Sequence, residues 1–196
     1  MTHRIDLEPA GTTLLTILAG VRDEHLDRPT PYHDRTVGEL LQHLVTVTRV
    51  LRATAEKDFG PLTEVNLHVN DWPGLEDGWR AAIEEQVPQL VQAWREESAW
   101  GGTTRGGGLE GPAETAGRIT LDELVLHGWD LARATGQDYP IDSIDPEVFA
   151  ASLEFLEAVE HDEVPEGQPA AGADDDVSVF NRMVALSGRD PQWSPS

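Results

Sequence analysis

Cysteine is absent from the 196 residues. No disulfide, thiolate metal ligand or protein thiol nucleophile is therefore available, and any thiol chemistry needs a thiol brought from outside. Basic charge is also scarce, with 14 Lys and Arg against 36 Asp and Glu, and Lys57 is the single lysine. The formal charge of −22 and pI near 4.4 repel a phosphate backbone, so nucleic acid is excluded as a partner. Long apolar runs are missing too: no segment reaches the roughly twenty apolar residues of a membrane span. The N-terminal MTHRIDLEPAGTTLL lacks a basic region followed by an uninterrupted apolar core. A soluble, cytoplasmic protein is expected. At this length, with 39% apolar residues, one domain with a real core is the default.

What is present is helical periodicity. From Asp6 to about Leu26, apolar residues including Leu14, Ile17, Leu18 and Val21 follow the spacing of a one-sided helix. RPTPYHDR breaks it, and Thr36 with Glu39 three residues on forms a candidate capping box for a second helix running to about Glu56. Its stripe includes Val37, Leu40, Leu41, Leu44, Val47 and Leu51, with His43 at the flank. A third pattern runs from Trp79 to Trp94, with Pro88 predicting a kink. The glycine-rich stretch from Ser98 to Gly117 is read as a long, mobile loop, and it lacks the lysine of a phosphate-binding P-loop. A fourth helix is predicted from Thr120 as N-cap to a stop at Gly136, a fifth from Asp145 and Pro146, and a short last one over about 178–186. The acidic run His161–Asp176 reads as a flexible surface loop. No strand alternation and no internal repeat stands out.

Glu123 and His127 are four apart, so on a helix their side chains share a face with Cβ atoms roughly 6 Å apart, close enough for one metal ion. Other uses stay open. Glu123 would equally close a capping box with Thr120, and His127 would equally serve as a hydrogen-bonded core residue. His43, beside the apolar stripe of a second helix, is placed where bundle metal sites draw a further ligand, although a lone histidine there is more often part of the core. Asp130, three after His127, is positioned to accept an imidazole N–H or, equally, to pair with Arg133 as a surface acid. Trp129 reads as packing, and His33 and His68 are alternative loop ligands or acid–base groups. His3, His25 and His161 have weaker claims, and the acidic runs lack the spacing of a calcium loop.

The segments TPYHDRTVGELLQHLV, ELVLHGWDLARATGQ and NRMVALSGRDPQW resemble the DinB-like superfamily, specifically the actinobacterial metal-binding proteins related to mycothiol-dependent maleylpyruvate isomerase. The resemblance covers nearly the whole chain in order. It implies an all-α, DinB-like four-helix bundle over 1–136 with one or two extra helices in a C-terminal extension over 137–196. It also implies a divalent ion, zinc first, held by a histidine of the second helix and a glutamate and histidine of the fourth, which fall on His43, Glu123 and His127. Two departures stand out. Where relatives carry a small residue or cysteine and then a tryptophan before the second helix, this chain has Tyr32, His33, Asp34 and Arg35. The isomerases themselves are expected to carry an additional C-terminal domain that the residues after 136 do not reproduce.

Three protein ligands leave coordination positions open for water or an incoming thiol. The first expectation is thus an enzyme that uses a low-molecular-weight thiol such as mycothiol for transfer to, or isomerisation of, a small electrophile. Nickel or iron would suit the same ligands. The alternatives are a non-catalytic metal-binding or stress-response bundle, and a metal-free structural or interaction protein. A homodimer is expected by analogy with related bundles, without a heptad seam to mark its interface.

Overall fold

The computed structural model describes residues 4–32, 35–67, 74–163 and 178–195, so His3, His33, His68 and most of the acidic run lie outside it, as does the side chain of His161. Among these residues are seven α-helices and one hairpin: α1 (Glu8–Ala19), α2 (Val37–Glu56), α3 (Trp79–Arg95), α4 (Glu97–Trp100), β1 (Thr103–Gly106), β2 (Leu109–Pro112), α5 (Ala113–Thr135), α6 (Pro146–Glu163) and α7 (Val179–Leu186). The fold is all-α, a four-helix bundle of α1, α2, α3 and α5 with extra C-terminal helices.

The bundle closes because α2 packs on α3 and α5 while α1 packs on α5 and α3. Leu14 and Leu18 of α1, Leu40 and Leu44 of α2, Leu90 of α3 and Leu124 of α5 are all fully or almost fully buried. Each contributes about 1.5–3 kcal/mol by leaving water. The predicted capping box before α2 is present: Thr36 Oγ1 accepts from the Glu39 N–H at 3.2 Å, and Glu39 Oε2 accepts from the Thr36 N–H at 2.8 Å. That cap fixes where α2 begins, and with it which way His43 faces. Helix α1 is shorter than its apolar pattern suggests. It ends at Ala19, and Asp23–His25 form a separate 3-10 turn.

The glycine-rich stretch departs most from expectation. It is not a long loop but a one-turn helix followed by an antiparallel hairpin, paired from Thr103↔Pro112 to Gly106↔Leu109. Gly107 and Gly108, at φ 63° and 78°, make the turn, since two consecutive left-handed residues are what a tight hairpin turn requires. The hairpin then runs straight into α5, which starts at Ala113, seven residues before Thr120. Thr120 is therefore not a cap. Its hydroxyl donates to the Ala116 carbonyl at 2.8 Å within the helix. Gly117, read as loop, sits inside α5 because the Trp100 ring lies where a side chain would go.

Helix α5 is buried along nearly its whole C-terminal half, from Leu121 to Ala132. The polar residues on it must consequently find partners inside the protein. Helices α6 and α7 pack on each other and supply some of them. Helix α7 ends in a Schellman turn: Gly188 (φ 79°) donates to the Ala185 carbonyl and Arg189 to that of Val184. This reversal sends the Arg189 side chain back toward α5.

Candidate metal centre

His43 of α2 and Glu123 and His127 of α5 meet on the inner side of the bundle, each offering one ligand atom, all within 4.8 Å of one another. Glu123 Oε2 lies between the two imidazoles, 3.0 Å from His43 Nε2 and 2.9 Å from His127 Nε2. The two rings stand nearly perpendicular, centroids 5.0 Å apart, and the Tyr32 ring meets that of His127 edge-on at 5.0 Å. Both histidines are buried, while Glu123 keeps a quarter of its side chain exposed.

The electrostatics follow from that packing. Burial works against a charge on Glu123, yet the imidazoles of His127 and His43 hold its carboxyl well below the usual carboxylate range. Burial likewise opposes a charge on His127, but Glu123 and the hydrogen bond to Asp130 outweigh it and raise its pKa. A site that concentrates an anionic carboxylate and two outward-facing Nε2 atoms has the donor chemistry of a divalent cation site of the zinc type.

Behind His127 stands a second layer. Its Nδ1 lies 2.9 Å from Asp130 Oδ2, which fixes the ring so that Nε2 faces the cluster. Asp130 is fully buried and does not pair with Arg133. Its arginine is Arg189, donating through Nε to Oδ1 at 2.8 Å and through Nη2 to Oδ2 at 2.9 Å. The same guanidinium lies over the Tyr32 ring, 4.8 Å from its centroid. Arg133 instead donates through Nε to the Trp193 carbonyl at 2.9 Å, tying down the segment after α7. Trp129 packs edge-on against Phe180, as expected of a core residue. Asp122 turns away toward α6, where the Ser152 hydroxyl donates to it; burial pushes its carboxyl up to about 8 against that bond.

Sequence reasoning missed Arg189, and it named Tyr32 only as a departure from the relatives before the second helix, without its place beside the cluster. Arg189 had a local signal in the Ser-Gly pair before it, which marks a helix stop and a change of chain direction, but no signal for its partner. His25, weakly considered as a ligand, is buried elsewhere, where its Nδ1 accepts from the Arg22 N–H at 3.2 Å.

A cleft of about 420 Å³ leads from solvent to this cluster, with His43, Glu123 and Tyr32 at its inner end and Leu109 of the hairpin and Ile119 of α5 on its walls. A larger groove of about 550 Å³, between the C-terminal halves of α2 and α3, contains no histidine and lies apart from the cluster.

Residues 7–132 match the mycothiol maleylpyruvate isomerase N-terminal domain. Uncharacterized proteins of Mycobacterium tuberculosis, from strains CDC 1551 / Oshkosh and H37Rv, are 25% identical over 143 residues, which is 73% of this chain and 71% of theirs. The crystal structure of the mycothiol-dependent maleylpyruvate isomerase aligns with a TM-score of 0.65 at 19% identity, over 97% of this chain and 90% of that one, and a histidine-to-alanine mutant of it gives the same values. At that identity the likeness concerns the fold. It extends beyond the bundle into the residues after 136, which were not expected to reproduce the additional C-terminal domain of the isomerases.

Proposed function

The chain belongs to the family of the mycothiol maleylpyruvate isomerase N-terminal domain, and we propose that it is a metal-dependent enzyme that uses a small thiol, of the mycothiol kind, for transfer to or isomerisation of a small electrophile. The observation that carries this reading is the convergence of His43, Glu123 and His127 at the inner end of an open cleft. These three side chains would hold the ion, with zinc the first choice and nickel or iron suited to the same set. When bound, a divalent ion with open positions supplies Lewis acidity and stabilises the deprotonated form of a thiol that reaches it.

The chain's own residues do the rest. Asp130, accepting from His127 Nδ1, would leave Nε2 as the atom that the ring presents to an ion. Glu123 brings one negative charge to offset the cation. Tyr32 lies beside both imidazoles, edge-on to that of His127, and lines the inner end of the cleft with them. Since the chain has no cysteine, the nucleophilic sulfur arrives through the cleft. A cytoplasmic setting, where such thiols stay reduced, belongs to the same proposal, as does a single domain made of the bundle (1–136) and its C-terminal extension (137–196). Among the described residues no helix is long and apolar enough to cross a membrane.

One observation favours a second reading. Glu123 already bridges both imidazoles, so the cluster is satisfied as a metal-free polar network within the core. Elemental analysis by plasma mass spectrometry of untagged protein beside His127→Ala separates the two. About one ion per chain, lost in the variant, supports the metal centre; no ion in wild type even after reconstitution leaves the structural network.

A further inference from the structure

We propose that the cleft beside the cluster takes an elongated ligand, its polar, oxygen-bearing head at the cluster and an apolar chain laid along the cleft toward the hairpin. This names the substrate class of the site and rests on the thiol-transfer reading above.

The shape follows from helix geometry. On α5 the lining residues Glu123, Ile119, Ala116 and Thr115 fall at helical spacing and form one stripe. On α2 His43, Leu51 and Thr54 form another. From the cluster the α2 stripe runs forward in the chain and the α5 stripe runs backward, so the cleft is a trough between antiparallel helices with the cluster at one end. At the rise of an α-helix, the stretch from Glu123 back to Thr115 is about 12 Å long. The hairpin, which packs on both helices, roofs the far end. There the Gly106 backbone lies so close to Thr54 that a Cβ would come within 2.5 Å of its hydroxyl oxygen, and the Gly107 turn meets Leu67.

Polar groups gather at the two ends of the trough. The inner end has the cluster and the Tyr32 hydroxyl, and a phenol and a divalent ion both suit an acceptor oxygen, whether carbonyl or carboxylate. The outer end has the Thr115 hydroxyl and the exposed Glu110, 3.1 Å from Arg105. It also has Thr54 and Thr104, whose hydroxyls donate to the Val50 and Thr54 carbonyls at 2.9 and 2.5 Å.

Between those ends the facing side chains are Leu51, Leu67, Ala116 and Ile119, and Leu109 stands 69% exposed at the mouth. A head without a chain would leave this apolar length against water. An attached chain would cover it, which is how exposed apolar surface in a concave site contributes affinity. A volume of about 420 Å³ is within the usual size of a small-molecule pocket and leaves room for the thiol beside such a chain.

The test is a pair of ligands with one head and two chain lengths, acetohydroxamate and octanohydroxamate. Both are titrated calorimetrically into the full chain, zinc-loaded and chelator-treated, with metal content measured. Each methylene that leaves water is worth about fourfold in affinity. Octanohydroxamate should therefore bind at least a hundredfold tighter than acetohydroxamate in both preparations. Ala116→Phe, which fills the trough about two turns from Glu123, and Ile119→Asn, at a partly exposed position, should each lower that ratio at least threefold, with the helical circular dichroism of wild type retained. A ratio short of a hundredfold in either preparation, binding of neither ligand, or a ratio that both variants leave unchanged would overturn the proposal. Failure of the metal reading registers separately, as zinc that is not retained and acetohydroxamate that binds no tighter with zinc than without it, whichever way the ratios fall.

Discussion

Arg189 grips Asp130 with two nitrogens, at 2.8 and 2.9 Å, across 59 residues of sequence, and Asp130 in turn holds His127. The guanidinium is 5% exposed and the carboxylate not at all. Removing one partner of such a buried pair leaves an uncompensated charge, at a cost of about 3–5 kcal/mol. Arg189→Leu should lower the unfolding free energy by that order in chemical denaturation, and Arg189→Lys should recover only part of it, because an ammonium lacks the planar fork. A loss below 1 kcal/mol for the leucine variant would show that the clamp is not a structural necessity.

Asp130→Asn tests the same carboxylate without emptying its place. The amide oxygen can still accept from His127 Nδ1, while the charge that strengthens the contact is gone. Metal affinity should fall about 10–100-fold in chelator competition, with the helical circular dichroism of wild type retained. Unchanged affinity would mean that Asp130 positions nothing at the metal.

Thr36 caps the helix that carries His43, and its loss should be felt as stability. Thr36→Ala removes the acceptor for the Glu39 N–H and should cost about 0.5–2 kcal/mol in a urea titration, whereas Thr36→Ser should be nearly neutral.

Gly117→Ala should be destabilising even though alanine is the better helix former. The added carbon would lie 2.4 Å from the Trp100 ring, which is itself buried and anchored by its Nε1–H to the Trp94 carbonyl at 2.6 Å. Overpacking of this sort costs about 1–3 kcal/mol against a propensity gain of roughly 1. A stabilised variant would mean that the Trp94–Trp100 pair yields easily.

His25 predicts a pH effect. Burial pushes its pKa down, Arg22 and Arg28 push the same way, and Glu24, 3.8 Å from Nε2, pulls the other way without prevailing. The folded state thus binds this proton less readily than the unfolded state. Its contribution is fully present above the unfolded value of about 6.5 and is lost as the pH falls through the folded value. Denaturation midpoints compared between wild type and His25→Gln should diverge on that acid side, wild type falling more steeply. Parallel curves would remove His25 from the account.

The sequence made α2 legible down to its first residue because a capping box is a local device, complete within four residues. The three candidate ligands lie together in the structure, two from one turn of α5 and one from the facing flank of α2. The hairpin was hidden by composition: four-residue strands rich in glycine and threonine show no alternation, and the Gly107–Gly108 pair was read as loop rather than as a tight turn. The start of α5 was misplaced for a related reason. Gly117 breaks a helix by propensity, and only the distant Trp100 shows why it is tolerated there. Arg189 escaped notice because nothing within its own neighbourhood in the chain names Asp130 as its partner.

The reach of that last contact sets an order of assembly during synthesis. All three candidate ligands leave the ribosome before the arginine that steadies the layer behind them. At about 5–20 residues per second, Arg189 follows Asp130 by roughly 3–12 s. A bundle that assembled within that interval would hold the Asp130 carboxylate against the His127 imidazole alone, and the turn after α7 would complete the layer behind the centre only afterwards.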